Sequence, residues 1–120
     1  MCFDEIKRIL SAIDDPVIKL EMVMDFGKHL APVPNDAVCS EIKGCTSRVE
    51  ICRKENMFFG RADSAIVRGI VAIFIAIVDG KTPSQIKEMD LRKMFSSLNL
   101  NLGAGRMNGV NSMILFLQNL

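Results

Sequence analysis

Cys45 is the one residue whose neighbours suit it for chemistry. In Ile42-Lys43-Gly44-Cys45-Thr46-Ser47-Arg48-Val49 the cysteine follows a glycine, precedes two small hydroxyl residues and has a cation on each side. A thiol reacts as its thiolate, and nearby positive charge favours that form. Lys43 and Arg48 supply the charge. Gly44 permits a sharp bend that pushes the sulfur outward. Thr46 and Ser47 offer hydroxyl protons to an anionic sulfur. The set suits a nucleophile that takes up sulfur or another soft group. The plainer and commoner reading of a free cysteine is a small buried hydrophobe.

The remaining cysteines read differently. Cys52 falls in an expected strand and Cys2 near a terminus, so filler or an incidental surface thiol describes both. Asp4, Glu5, Lys7 and Arg8 interrupt the stretch where a secretory signal needs an apolar run. A cytoplasmic, reducing setting with free thiols is therefore expected, and pairing of Cys39 with Cys45 would require oxidation. There is no C-x-x-C pair, and His29 stands apart from every cysteine. A structural zinc site is not expected from such spacing.

Composition narrows the class. At 120 residues the chain suits one domain, 1–120, with a real core. The 49% hydrophobic and 24% charged residues match a folded globular protein. A net charge of +1, with neither Trp nor Tyr, argues against a nucleic-acid surface. The longest apolar run, Ile66 to Val78, is too short to cross a bilayer and reads as a buried helix.

The surrounding elements follow from periodicity. Phe3, Ile6, Ile9, Leu10 and Ile13 recur at helical spacing. Asp15-Pro16 restarts the chain as a second helix, which Pro32 and Pro34 end near Leu30. Val38 to Lys43 reads as a strand, Gly44 to Ser47 as a turn and Arg48 to Lys54 as a second strand. Glu55-Asn56 turns into a third strand, Met57 to Arg61. Asp63 is the expected N-cap of a helix from Ser64 to Asp79, which Gly80 terminates. Thr82-Pro83-Ser84-Gln85 is a capping-box pattern, and Asp90 caps a further short helix. Leu98 to Gly105 reads as a loop before a last helix striped by Met107, Val110, Met113, Ile114 and Leu117. Helices, then strands, then helices describe an α+β fold with a small antiparallel sheet against helices.

Two more segments bear on the site. In Asp63-Ser64-Ala65-Ile66-Val67-Arg68-Gly69, Asp63 and Gly69 read as structural, the first a cap and the second a close-packing position. Arg106-Met107-Asn108-Gly109 opens the last helix. Arg106 is either a solvated charge or a group that reaches the Cys45 turn to stabilise an anion or touch a partner. His29 reads as a helix C-terminal residue rather than a catalyst.

Together these segments resemble the SufE family of sulfur acceptors, the iron–sulfur metabolism-associated domain. Residues 42–49 resemble its Gly-Cys-x-Ser-x-Val motif, residues 62–69 its Asp-(Ser/Ala)-x-Ile-Val-(Lys/Arg)-Gly segment, and residues 106–110 its Arg-Ser-Asn-Gly-Leu. The likeness runs from about Pro16 onward and keeps the family's order. The chain departs from it at Glu50, where the family has Trp, at Met107, and in a 62–69 segment one residue short.

The resemblance implies a SufE/IscU-like fold with a three-stranded sheet between N-terminal and C-terminal helices. It implies a sulfurtransferase-type accessory protein in which Cys45 takes persulfide sulfur from a SufS-like cysteine desulfurase. The sulfur then passes to a SufBCD-like iron–sulfur scaffold. Gly44, Thr46, Ser47, Arg48 and Asn108 would support the thiol, beside Arg106. Pyridoxal phosphate would belong to the desulfurase, with no cofactor or metal on this chain, which would be a monomer or homodimer. Two alternatives stay open. An iron–sulfur scaffold would need Cys39, Cys45 and His29 or Cys52 to converge. A non-catalytic regulatory domain would bind a desulfurase without using its thiol.

Overall fold

A computed structural model describes residues 1–120 as six helices and a three-stranded antiparallel sheet, an α+β fold. Helix α1, Phe3–Ser11, buries Ile6 and Leu10 one turn apart. Helix α2, Pro16–Gly27, opens where Asp15 accepts hydrogen bonds from the N–H groups of Val17 and Ile18 at 2.8 and 3.3 Å. It ends at Gly27, short of the expected Leu30. Lys28, His29 and Leu30 instead donate to carbonyls three residues back, a tightened last turn on the approach to Pro32.

The sheet runs β1 (Val38–Glu41), β2 (Val49–Lys54) and β3 (Met57–Ala62), in that spatial order. Val49, Ile51, Phe58 and Gly60 lie on the face packed against helix α3, Ala65–Val78; a β-carbon on Gly60 would sit 2.3 Å from Val71 Cγ1. Alternation puts Cys39, Glu41, Glu50, Cys52, Phe59 and Arg61 on the other face. The Glu55-Asn56 turn forms as expected. Glu55 adopts φ 55°, and Arg53 holds the turn by donating to the Glu55 carbonyl at 2.7 Å and to Asn56 Oδ1 at 3.2 Å.

Two expectations are corrected here. Cys39 and Cys52 are not free thiols. They stand directly opposite in the β1–β2 register with Cα atoms 3.9 Å apart and are joined as a disulfide. Cross-strand pairing, invisible in their 13-residue separation, brings them together. Asp63 is not the cap of α3. Its N–H donates to the Arg48 carbonyl at 3.2 Å, extending the strand ladder, and Ser64 caps α3 by accepting from Val67 N–H at 3.4 Å.

Helix α3 is the centre of the core. Ile70, Val71, Ile73, Phe74, Ile77 and Val78 are all essentially buried. Gly69 faces α2 at a close crossing, where a β-carbon would fall 2.0 Å from the Val23 carbonyl oxygen. Thr82 and Gln85 form the expected capping box of α4, Pro83–Glu88. Asp90 caps α5, Leu91–Ser96, by accepting from Lys93 N–H at 3.0 Å. Phe95 then stacks on Phe74 with ring centroids 5.2 Å apart. Helix α6, Ala104–Gln118, starts earlier than expected, after Gly103 at φ 82°, and buries Val110, Met113, Ile114 and Leu117.

Gly69→Ala should destabilise the chain by about 3 kcal/mol, because neither backbone at that crossing can give way. Gly105→Ala, which meets open space in the first turn of α6, should stabilise by roughly 0.5–1 kcal/mol. Denaturant midpoints of the two variants check the opposite signs.

Candidate functional site

The loop between β1 and β2, residues 42–48, carries Cys45. Its base is closed by a hydrogen bond from Ile42 N–H to the Val49 carbonyl at 2.9 Å, and both side chains are buried. Gly44 bends the chain at φ 86°, in the left-handed region. It also abuts α6, where a β-carbon would fall 2.5 Å from Ser112 Oγ. Conformation favours glycine here, and a β-carbon would in addition oblige the Ser112 hydroxyl to move.

The next residue places its sulfur against the α6 backbone. A β-carbon on Gly109 would lie 3.2 Å from Cys45 Sγ. The thiol points toward the Gly109 carbonyl at 4.0 Å, the outer limit of a sulfur hydrogen bond. Gly109 therefore makes the niche for the sulfur. Sequence reasoning gives Gly109 no such role, although it sits in the Arg106-Met107-Asn108-Gly109 segment; a glycine inside an apolar helical stripe is the available signal.

Electrostatics differ from expectation. Cys45 is half-buried, and burial pushes its thiol above the ordinary thiol range. Flanking charge does not offset this. Arg48 leads into β2 two positions before Glu50, on the same face, and its guanidinium turns to that carboxylate at 3.8 Å. Arg61, on the neighbouring strand, shares Glu50 at 3.9 Å. Lys43 is exposed.

The other expected residues are scattered around this niche. Thr46 is exposed, whereas Ser47 buries its Oγ with no hydrogen-bond partner. Arg106 is exposed and donates to the Leu102 carbonyl at 3.4 Å, one turn before Gly109. Asn108 presents its side chain to solvent, while its carbonyl accepts the Ser112 hydroxyl at 3.0 Å. Gly44, Cys45, Gly109 and Ser112 thus meet directly; Arg48 and Arg106 are held by other partners.

The potential metal ligands gather elsewhere. Cys39, Glu50 and Cys52 have ligand atoms within 4.8 Å of one another, but the two sulfurs are bonded together. Neither Cys45 nor His29 belongs to that group. His29 borders a groove between α1, α2 and β3 with Ile6, Phe26 and Phe58. No helix is long and apolar enough to cross a membrane.

A family model described as SufE, Fe-S metabolism associated domain, matches residues 4–120. The chain is 32% identical over 123 residues to an uncharacterized SufE-like protein of Rhizobium meliloti (strain 1021), covering 92% of this chain and 88% of that one. It is 35% identical over 114 residues to an uncharacterized SufE-like protein of Rhizobium etli, covering 85% and 77%. The sulfur acceptor protein CsdE of Escherichia coli (strain K12) is 32% identical over 104 residues, covering 79% and 71%. A solution structure of a hypothetical protein from Thermus thermophilus shares the fold, with TM-score 0.71 at 11% identity over 99% of this chain and 94% of that one.

Two outcomes are expected at the thiol. Gly109→Ala should shift the Cys45 sulfur a few tenths of an ångström from the helix and speed its alkylation modestly, read by peptide mass spectrometry. Cys45 in the folded chain should reach half-maximal alkylation at higher pH than the same residue in urea. The sign for stability follows: above the ordinary thiol range the unfolded chain has lost a proton that the folded chain keeps. This site's contribution is unchanged at lower pH and falls as pH rises through that range.

Proposed function

The chain belongs to the SufE family, and from that premise we propose that Cys45 accepts sulfur from a cysteine desulfurase and hands it to iron–sulfur cluster assembly. The observation that carries the proposal is the sulfur of Cys45, at a loop tip, lodged in a niche shaped by Gly109. A carried sulfur needs a nucleophile that can be reached and a shelter that keeps reductants away. A half-buried thiol against a side-chain-free backbone answers both needs.

The transfer is thiolate exchange. The desulfurase presents a persulfide made by its own pyridoxal phosphate chemistry. Cys45 thiolate attacks the outer sulfur, the donor's S–S bond breaks, and the donor cysteine leaves as thiolate. Cys45 then carries the sulfur as a persulfide. In the resting chain burial disfavours the Cys45 thiolate, and a partner that draws the loop from α6 would relieve that burial. Arg106, one helical turn from Gly109, is placed to stabilise the anion or meet the partner once that happens. The Ser47 hydroxyl, buried without a partner, is a donor held in reserve for the anionic sulfur. Glu50 with Arg48 and Arg61 gives the adjoining sheet face ion pairs where the resemblance leads one to look for Trp. A partner there would be met by charge rather than by an apolar ring.

With a desulfurase and free cysteine, the chain should gain the mass of one sulfur atom on the peptide containing Cys45. Cys45→Ser should abolish that gain. Sulfur arriving on Cys39 or Cys52 instead would sink the assignment, and a Cys45→Ser chain that still stimulates the desulfurase would point to a regulatory binding domain. Ser47→Ala should slow sulfur uptake about tenfold, the value of one hydrogen bond to a charged group, yet raise stability by roughly 1 kcal/mol, because the hydroxyl gives up its water on folding and gains no partner.

A further inference from the structure

We propose that the Cys39–Cys52 disulfide is a reducible clasp on the Cys45 hairpin, opened by a dithiol reductant, and that its opening frees the Cys45 sulfur from α6. The purpose of the clasp rests on the sulfur-acceptor reading; its chemistry and its effect on access do not.

Position is the first ground. The disulfide joins the two legs of the hairpin, and Cys45 lies at the tip between them. The second ground is how little else holds the first leg. β1 is an edge strand of four residues, paired only with β2, and none of its side chains is buried. Val38 is 74% exposed. Glu41 stands directly opposite Glu50, whose carboxylate is already shared by Arg48 and Arg61, so Glu41 gains no partner across the ladder. Ahead of the strand, Asp36 meets Lys54 at 2.9 Å, but both are exposed and such pairs contribute little. From residue 31 to 48 the one buried side chain is Ile42. Main-chain bonds, Ile42 and the disulfide therefore hold this segment, and only the disulfide is covalent.

The two sulfurs are unequal, which sets the direction of exchange. Cys52 is fully buried, whereas Cys39 keeps solvent contact. A reductant thiolate attacks Cys39 Sγ; the Cys39–Cys52 bond breaks and Cys52 leaves as thiolate, taking a proton. The reductant's second thiol then displaces Cys39 from the mixed disulfide. Two electrons and two protons move to the protein pair, and the reductant ends as its own disulfide. β1 then keeps only its main-chain bonds to β2, and the loop that seats Cys45 on Gly109 opens more often.

The test compares three forms of the full chain by cysteine-resolved alkylation, with reagent-exposed Cys2 as internal control. These are the oxidised chain, the chain reduced with a phosphine that is then removed, and the Cys39→Ser/Cys52→Ser variant. Cys45 should react about tenfold faster in the reduced chain and in the variant than in the oxidised chain, with Cys2 constant. If the variant does not fold, the phosphine-reduced chain carries the comparison. Equal Cys45 rates in the oxidised and reduced chains would overturn the clasp. So would an aerobically purified chain holding Cys39 and Cys52 as thiols, or one holding zinc on them with Glu50. A desulfurase assay on the same samples separates the two ideas. Faster alkylation without sulfur uptake removes the acceptor reading and leaves the clasp, whereas sulfur uptake at one rate in both states removes the clasp's purpose and leaves the acceptor reading.

Discussion

The site depends on one close approach, that of the Gly44-Cys45 bend to the backbone of α6. Gly44 lies where a β-carbon would strike Ser112, and Gly109 lies where a β-carbon would crowd the Cys45 sulfur. Two missing side chains, one on each surface, let the Ser112 side chain reach the bend and the Cys45 sulfur reach the helix backbone. What they enclose is a sulfur-sized niche rather than a pocket for a larger ligand. The dispersion contacts that fill it are individually small. The niche is therefore easy to form, and a docking partner can reverse it.

That approach requires α6 and the sheet to be held firmly relative to each other, and α3 supplies the frame. Its apolar surface receives the sheet through Gly60 and α2 through Gly69, both at distances that exclude a β-carbon. Phe74 carries the frame onward to α5 through its stack on Phe95. The well-packed part of the molecule is thus α2, α3, the β2–β3 ribbon and the buried face of α6. β1 and the loop that follows lie at the margin, with one buried side chain between residues 31 and 48. The thiol proposed as the carrier lies at such a margin, and the elements that move are drawn from the weakly held part of a fold.

Charge has a different place from the one its sequence position suggests. Lys43 and Arg48 flank Cys45 in the chain, yet the guanidinium of Arg48 is taken up by Glu50, which Arg61 shares. Burial then dominates at the thiol and favours its protonated form. A resting thiol of this kind resists oxidation and adventitious alkylation, since both proceed through the thiolate. The neighbouring Cys39–Cys52 pair stands as a disulfide, so the hairpin holds a bonded sulfur pair and a free thiol side by side.

Local signals determined most of the secondary structure. The Asp15-Pro16 start, the Thr82–Gln85 capping box, the Asp90 cap and the apolar run of α3 act within one helical turn, so a linear reading reaches them. The ordered motifs around Cys45, Asp63 and Arg106 were likewise enough to bring the family into view. Tertiary structure decided whatever depends on which residues face each other across the fold. It paired Cys39 with Cys52 through strand register, moved the cap from Asp63 to Ser64 by prolonging the ladder, and turned Arg48 away from the thiol toward Glu50. It also assigned Gly109 its task, because the space left by an absent side chain acquires meaning only from the atom that occupies it, here the sulfur of Cys45.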